Sequence, residues 1–330
     1  MKNYYAWVSD LSENSGEGQL ARLFLNDLYS IKKKKISCYT NNGKYIFSNN
    51  QITTSVKKHK NNLLNNYIKV FYGIILLWIF YFKGRKIIYL NYLPLWNFLI
   101  FILIPPRTIL GPVTGNIKKK GSFLRNYILK YMCLISVFIL KLRKKNFIFA
   151  HEDIYYILKN YLNKNTLYNY QLSYVKKSYI SNIKKNNIII YNRKNKSKNL
   201  EHLISKTLKQ LKFENIYVIG EKLNYPDVEN FGYISKKNIE NILKKSKFAL
   251  ISDENLYSFF TMDALKYGLM IIYNSERYIV KNYFINSKFI SISKIKSMVH
   301  NLEPIRKTIF LKKDIKDNIL LKFFNYLKFV

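Results

Sequence analysis

The chain has 330 residues, 48% of them apolar, and a formal net charge of +37. That apolar share excludes a disordered chain, and the length allows two domains, each with its own core. Two cysteines, Cys38 after a lysine run and Cys133 inside an apolar run, exclude a disulfide framework and suit a reducing cytoplasm.

The N-terminus MKNYYAWVSD turns acidic after a short apolar patch, so it is not read as a signal peptide. Tyr4–Val8 is a predicted strand and Gly18–Leu28 a helix. Short strands follow at Lys35–Thr40 and Tyr45–Phe47, then a long helix over roughly Leu63–Phe82. Next come a strand at Ile87–Leu90, a helix at Leu95–Ile104 stopped by Pro105 and Pro106, and a strand at Thr108–Leu110. Phe123–Leu142 reads as a helix and Asn146–Ala150 as a strand. The polar stretch Lys176–Asn186 has no period and reads as a linker. Beyond it, strands at Asn187–Tyr191, Ile216–Ile219, Phe248–Ile251 and Leu269–Tyr273 alternate with helices at Leu200–Leu211, Asn238–Lys244 and Thr261–Tyr267. Leu311–Val330 suggests a terminal amphipathic helix. Such alternation predicts βαβ units and parallel sheets covered on both faces. The expected architecture is α/β, with two Rossmann-like domains facing across a cleft: residues 1–178, residues 179–310, and a closing helix over residues 311–330.

Charge is distributed unevenly. No Asp or Glu occurs from Leu28 to His151, while Lys32 to Lys35, Lys57, Lys58, Lys60, Lys118 to Lys120 and Arg143 to Lys145 all fall there. A basic half of this kind suits nucleic acid or an anionic membrane. Nucleic-acid signatures are absent, and lysine rather than arginine carries the charge, so no nucleic-acid partner is expected. The same half holds three apolar segments. Val70–Phe82 is short of the ~20 residues a span needs, and Tyr127–Leu140 is interrupted by Lys130. Ile87–Ile104 is the best candidate for a span, yet it contains Asn91, Pro94 and Asn97. The expectation is a cytoplasmic protein lying peripherally on the inner face of a membrane.

Four loops are candidates for chemistry. Gly16, Glu17 and Gly18 stand where the first strand turns into a helix, a place where backbone N–H groups meet anions. Gly111–Asn116, with Thr114 and Gly115, would form a lip of backbone donors after the strand Thr108–Leu110. Arg193 and Lys198 follow the first strand of the second half and would face a diphosphate. In the fourth, Glu254, Asn255, Tyr257, Ser258 and Phe259 lead into a helix carrying Asp263. Its start suits a diphosphate and its carboxylate suits ribose hydroxyls, while Thr261 and Asp263 also read as capping residues. His151, beside Glu152 and Asp153, is a candidate base as well as an ordinary helix start. The two cysteines and four histidines show no metal-ligand spacing, so no metal and no cofactor are expected.

At these loops the chain resembles the glycosyl transferases group 1 superfamily, of GT-B fold. The matching elements, in order, are GEG, GPVTG, the R-x-x-x-x-K of Arg193 to Lys198, and ENLYSFFTMDALKYG from Glu254 to Gly268. The segment FGYISKKNIENILKKSKFALISDEN also resembles the family. The family pattern places one acid eight residues before another. From Asp263 that count reaches Asn255, with Glu254 next to it. The same stretch is similar to the nucleotide-binding motif of GDP-fucose α-1,3-fucosyltransferases.

The resemblance implies a retaining, metal-independent hexosyl- or related glycosyltransferase. It would move a sugar from a nucleoside diphosphate sugar to a lipid-linked or surface-polysaccharide acceptor. Arg193, Lys198, Glu254, Asn255, Tyr257, Ser258, Phe259 and Asp263 would hold the donor, and Gly16 to Gly18 with Thr114 and Gly115 the acceptor. Glu17, His151 and Glu254 are the catalytic candidates, and an inverting reaction would draw its base from Glu17, Asp10 or His151. The alternatives are a nucleotide-sugar epimerase of the same fold, or a non-catalytic basic membrane-associated protein derived from a transferase.

Overall fold

The computed structural model describes residues 3–13, 15–40, 43–48, 51–54, 66–91, 93–114, 123–145, 147–151, 155, 158–162, 170, 186–193, 201–251, 258–273 and 289–291. Two compact units divide the described residues, the first ending at Tyr170 and the second beginning at Asn186. The expected linker core, both expected domain boundaries and the terminal helix at Leu311–Val330 lie outside the described residues.

The first unit is built on a six-stranded sheet of order β4-β3-β2-β1-β5-β6. Its strands are β1 (Tyr4–Val8), β2 (Ile36–Thr40), β3 (Gly43–Ser48), β4 (Gln51–Thr54), β5 (Lys86–Leu90) and β6 (Ile109–Leu110). β1 pairs in parallel with β2 and β5, and β5 with β6. β3 and β4 are antiparallel additions at one edge. Thr40 pairs with Gly43, so the connection between β2 and β3 is too short for the crossover that parallel strands require. Between β1 and β2 runs α1 (Gly16–Lys32), which buries Leu20, Phe24, Leu25 and Leu28. It ends where Lys33 turns left-handed at φ 51° and donates its N–H to the Tyr29 carbonyl.

Three more helices pack on this unit: α2 (Asn66–Phe82), α3 (Phe98–Leu103) and α4 (Phe123–Leu142). Their buried residues, among them Leu77, Phe101 and Val137, share one core with Trp7, Tyr89 and Leu110 of the sheet. Ile87–Ile104 does not form a continuous span: it divides into β5 and α3, with Asn91 left-handed at φ 66° between them. The helix that is long and apolar enough to cross a membrane, among the described residues, is α4. The strand expected at Asn146–Ala150 is reduced to a single bridge between Phe149 and Val113.

The second unit is a wholly parallel six-stranded sheet, order β12-β11-β10-β7-β8-β9. Its strands are β7 (Ile188–Asn192), β8 (Ile216–Gly220), β9 (Val228–Gly232), β10 (Phe248–Leu250), β11 (Met270–Tyr273) and β12 (Phe289–Ser291). The helices are α5 (Glu201–Gln210), α6 (Lys236–Lys245) and α7 (Phe259–Lys266). Both faces of the central strands are buried, which explains their unbroken apolar runs. Ile188, Ile190, Phe248 and Leu250 pack with Leu203 and Ile204 of α5 on one face. Ile189, Ala249 and Ile271 pack with Leu243 of α6 and Leu265 of α7 on the other.

Candidate functional site

In the second unit, strand order decides where a ligand fits. The chain builds outward from β7 to β8 and β9, then returns to the other side of β7 with β10, β11 and β12. Neighbouring crossovers therefore leave in opposite directions at β7 and β10, and a crevice opens outside the carboxyl ends of those two strands. Arg193 leaves β7 at that edge, and Ser258 opens α7 after β10.

Ring packing ties these two exits together. The Arg193 guanidinium lies over the Tyr191 ring at 4.6 Å, and Tyr191 packs against Phe260 of α7 with centroids 5.6 Å apart. Ser258 is the N-cap of α7, its Oγ accepting from the Thr261 N–H at 3.3 Å. Capping thus falls to Ser258, and the buried Thr261 hydroxyl lies 3.0 Å from it. Asp263 sits one turn into α7, half-buried. A helix start with a guanidinium close to it is an arrangement that attracts a phosphate group. Lys198, Glu254, Asn255 and Tyr257 lie outside the described residues, and Phe259 is buried in the first turn of α7.

The exit of β8 adds residues that were not singled out from the sequence. Gly220 has φ 94°, and a Cβ there would stand 2.1 Å from the Asn192 carbonyl oxygen, so the β7 and β8 exits approach as only glycine permits. The Glu221 N–H donates to the Asn192 carbonyl at 3.0 Å, and the Asn192 amide donates back to the Glu221 carbonyl at 3.1 Å. Glu221 then accepts from the exposed Tyr233 hydroxyl, after β9, at 2.9 Å. That bond holds the Tyr233 pKa above its ordinary value, while the charge of Arg193 acts the other way. Arg193, Glu221 and Tyr233 therefore form one polar group on the carboxyl edge of β7, β8 and β9. The signal for it was Gly220 itself, a glycine at the end of an apolar run.

In the first unit the carboxyl edge carries Asp10, Glu17, Asn91, Thr114 and His151. Asp10 organises the turn after β1: its carboxylate accepts from the Ser12 N–H at 2.7 Å and from the Ser15 hydroxyl. Ser15 in turn caps α1, accepting from the Gly18 N–H at 2.8 Å. The N–H of Gly18 is therefore committed, and this glycine serves a close approach instead of an anion. Gly16 and Glu17 are exposed at the helix start. Although the Glu17 side chain reaches the surface, protein packed around its carboxyl takes away part of the hydration and raises its pKa, and the nearby Asp10 charge adds to the effect.

The lip at Gly111–Thr114 is tied to the sheet through its donors. The Gly111, Val113 and Thr114 N–H groups donate to the carbonyls of Tyr89, Ile148 and Leu93 at 2.9, 2.7 and 2.9 Å. Backbone N–H groups expected to face a ligand are thus used within the fold, and Gly115 lies outside the described residues. His151 follows the bridged segment that pairs with Val113. Among the described residues, no three His, Cys, Asp or Glu side chains gather as a metal site.

No protein-family model and no curated protein matches this sequence. Solved structures do match it along its whole length. The lipopolysaccharide outer core galactosyltransferase WaaB aligns with a TM-score of 0.53 at 11% identity, covering 100% of this chain and 99% of that one. Anabaena HepE, solved with UDP and glucose, gives 0.53 at 8% identity over 99% and 95% of the two chains. A glycosyltransferase from Rickettsia africae gives 0.51 at 11% identity over 99% and 93%. The chain therefore has the fold of GT-B glycosyltransferases, an α/β fold with two sheets of mainly parallel strands.

Proposed function

We propose that the chain is a glycosyltransferase that moves a sugar from a nucleoside diphosphate sugar to a saccharide or lipid-linked acceptor. The observation that carries this reading is the strand reversal at β7 and β10. It sets Arg193 and the N-terminus of α7 at one crevice edge. Two features of positive potential there suit a diphosphate. Their role would grow as the bond to the sugar breaks, because the leaving diphosphate gains charge as it departs. Asp263, one turn into α7, is the carboxylate assigned to the ribose hydroxyls. The fold shared with HepE, whose structure contains UDP and glucose, supports a nucleotide-sugar donor.

The acceptor belongs to the first unit in this reading. Glu17, His151 and Thr114 border the carboxyl edge of its sheet, as they would for a hydroxyl nucleophile. Retention of configuration and metal-independent transfer follow from the resemblance to the group 1 transferases. Retention asks for no protein base. Inversion would call on Glu17, whose raised pKa suits proton acceptance nearer neutral pH.

A panel of nucleoside diphosphates tests the proposal by thermal unfolding. A ligand present at ~100 times its dissociation constant adds about 2.7 kcal/mol of stability. At least one nucleoside diphosphate should stabilise the protein, and its sugar conjugate should be consumed when a suitable acceptor is supplied. Stabilisation by none of them would contradict the proposal.

A further inference from the structure

All but two of the large exposed hydrophobic side chains among the described residues, Tyr161 and Tyr233, lie on α2, α3 and α4. Their spacing on α4 is regular. Leu124, Ile128, Tyr131, Ile135, Phe138 and Leu142 recur every three or four residues, which puts them on one face of the helix. The opposite face, Cys133, Ser136, Val137 and Leu140, is buried. A helix on the surface of a water-soluble unit normally turns charged and polar residues outward at such positions. Leu124 is 70% exposed, Phe138 62% and Leu142 67%.

The apolar face continues across the neighbouring helices. On α2, Phe71, Ile75, Ile79 and Phe82 are exposed at the same helical spacing, and on α3 so are Leu99 and Ile102. Hydrogen bonds hold the three helices together. Trp78 of α2 donates its indole N–H to the Leu103 carbonyl at 2.8 Å, and Arg143 after α4 donates to the Ile104 carbonyl at 2.8 Å. Cations border the surface: Lys83, Arg85, Arg125, Lys130 and Lys141 are exposed, and no Asp or Glu occurs from Leu28 to His151.

We infer that the outer face of α2, α3 and α4 docks the protein onto an anionic lipid bilayer, with α4 lying flat in the interface. Charge chooses the occupant. A second copy of this chain would press the same cations against one another, whereas an anionic leaflet neutralises them. Leu124, Ile128, Ile135, Phe138 and Leu142 enter the acyl boundary, while the hydroxyls of Tyr127 and Tyr131 suit the headgroup level. α4 is long enough to span, but crossing would withdraw Cys133, Val137 and Leu140 from the core they share with Phe101 and Phe149. This inference does not rest on the transferase reading.

Flotation of the purified full chain tests it, using vesicles of phosphatidylglycerol with phosphatidylcholine and vesicles of phosphatidylcholine alone, in 0.1 M and 1 M NaCl. The protein should float with the anionic vesicles, and alkaline carbonate should strip it off. Replacing Leu124, Phe138 and Leu142 together by Gln should weaken partitioning at least about 100-fold at both salt concentrations. These side chains are exposed, so the unfolding temperature and circular dichroism should stay as in the wild type. Lys130→Gln with Lys141→Gln should weaken partitioning at 0.1 M salt and change little at 1 M, where charge is screened. Four results would each overturn the inference: no flotation of the wild type, a folded triple variant that floats equally well, resistance to carbonate, or a vesicle-free dimer that the triple variant splits. None of these readouts involves a sugar, so transferase activity is judged separately.

Discussion

Replacing Gly18 by Ala separates two roles for the glycine-rich turn after β1. Ala is the better helix former by about 1 kcal/mol, and Gly18 is inside α1, so propensity alone predicts a more stable protein. Packing predicts the reverse. A Cβ at this position would stand 2.0 Å from the Ser12 carbonyl oxygen and 2.6 Å from its nitrogen. Reaching ordinary contact at 3.4 Å requires that backbone to recede by about 1.4 Å. The turn has little freedom to do so. Ser12 is held by Asp10, Leu11 accepts from Arg22 at 2.6 Å, and Glu13 pairs with Arg22 at 3.0 Å. Forced overpacking of this sort costs about 1–3 kcal/mol, and a disturbed Ser15 cap about 1 kcal/mol more. After the propensity gain, Gly18→Ala should destabilise the protein by about 1–3 kcal/mol in thermal or denaturant unfolding. Stabilisation by the nucleoside diphosphate should persist, since the proposed donor site is in the other unit. A variant as stable as the wild type, or more so, would refute the close approach of turn and helix.

Three further outcomes are expected. Arg193→Ala should weaken nucleoside diphosphate binding roughly 10- to 100-fold by calorimetry, the range of a charge-assisted bond worth about 1.5–3 kcal/mol; an unchanged dissociation constant would return Arg193 to the solvated surface. Asp263→Asn should raise the donor KM more than it lowers kcat, whereas a large fall in kcat at constant KM would remove Asp263 from the ribose. Lys145, which donates to the Thr108 carbonyl at 2.8 Å, has its pKa lowered to about 7, first by burial and then by Arg143. Because the unfolded chain keeps that proton up to the ordinary lysine range, stability should rise with pH above about 7 through this group. Lys145→Met should flatten the rise in a series of unfolding curves, and an unaltered pH dependence would contradict the burial of this ammonium group.

The second unit was the more legible of the two. Its central strands are buried on both faces, so Ile188–Ile190 and Phe248–Leu250 stand out as apolar runs between polar helices. β9 escaped notice because Val228–Gly232 is an edge strand in which no residue is fully buried, and Glu229 and Asn230 at its centre break any apolar pattern. In the first unit β2 and β3 were legible as strands, but their antiparallel pairing came from a connection too short for a crossover. Arg193 and the start of α7 were candidates from the sequence, and the strand order brings both to one sheet edge. Ser258 took the cap position instead of Thr261, since both carry hydroxyls and only the helix boundary separates them. Glu221 and Tyr233 were missed because their pairing depends on two strand exits being neighbours in the sheet. The lip at Gly111–Thr114 was misread as a row of available donors. Two-residue β6 is short, and the segment after it completes the sheet's hydrogen bonds with its own N–H groups.

Hydrogen exchange in the presence of the nucleoside diphosphate that stabilises the protein tests the central claim, the location of the donor, most directly. Exchange should slow at the carboxyl edge of the second sheet. The protected amides should be those around Arg193, around Gly220 and Glu221, and in the first turn of α7 from Phe259 to Met262. The turn from Ser9 to Ser15 and the lip at Gly111–Thr114 should change little with nucleotide alone. Protection confined to those first-unit loops, with none at Arg193 or α7, would contradict the account.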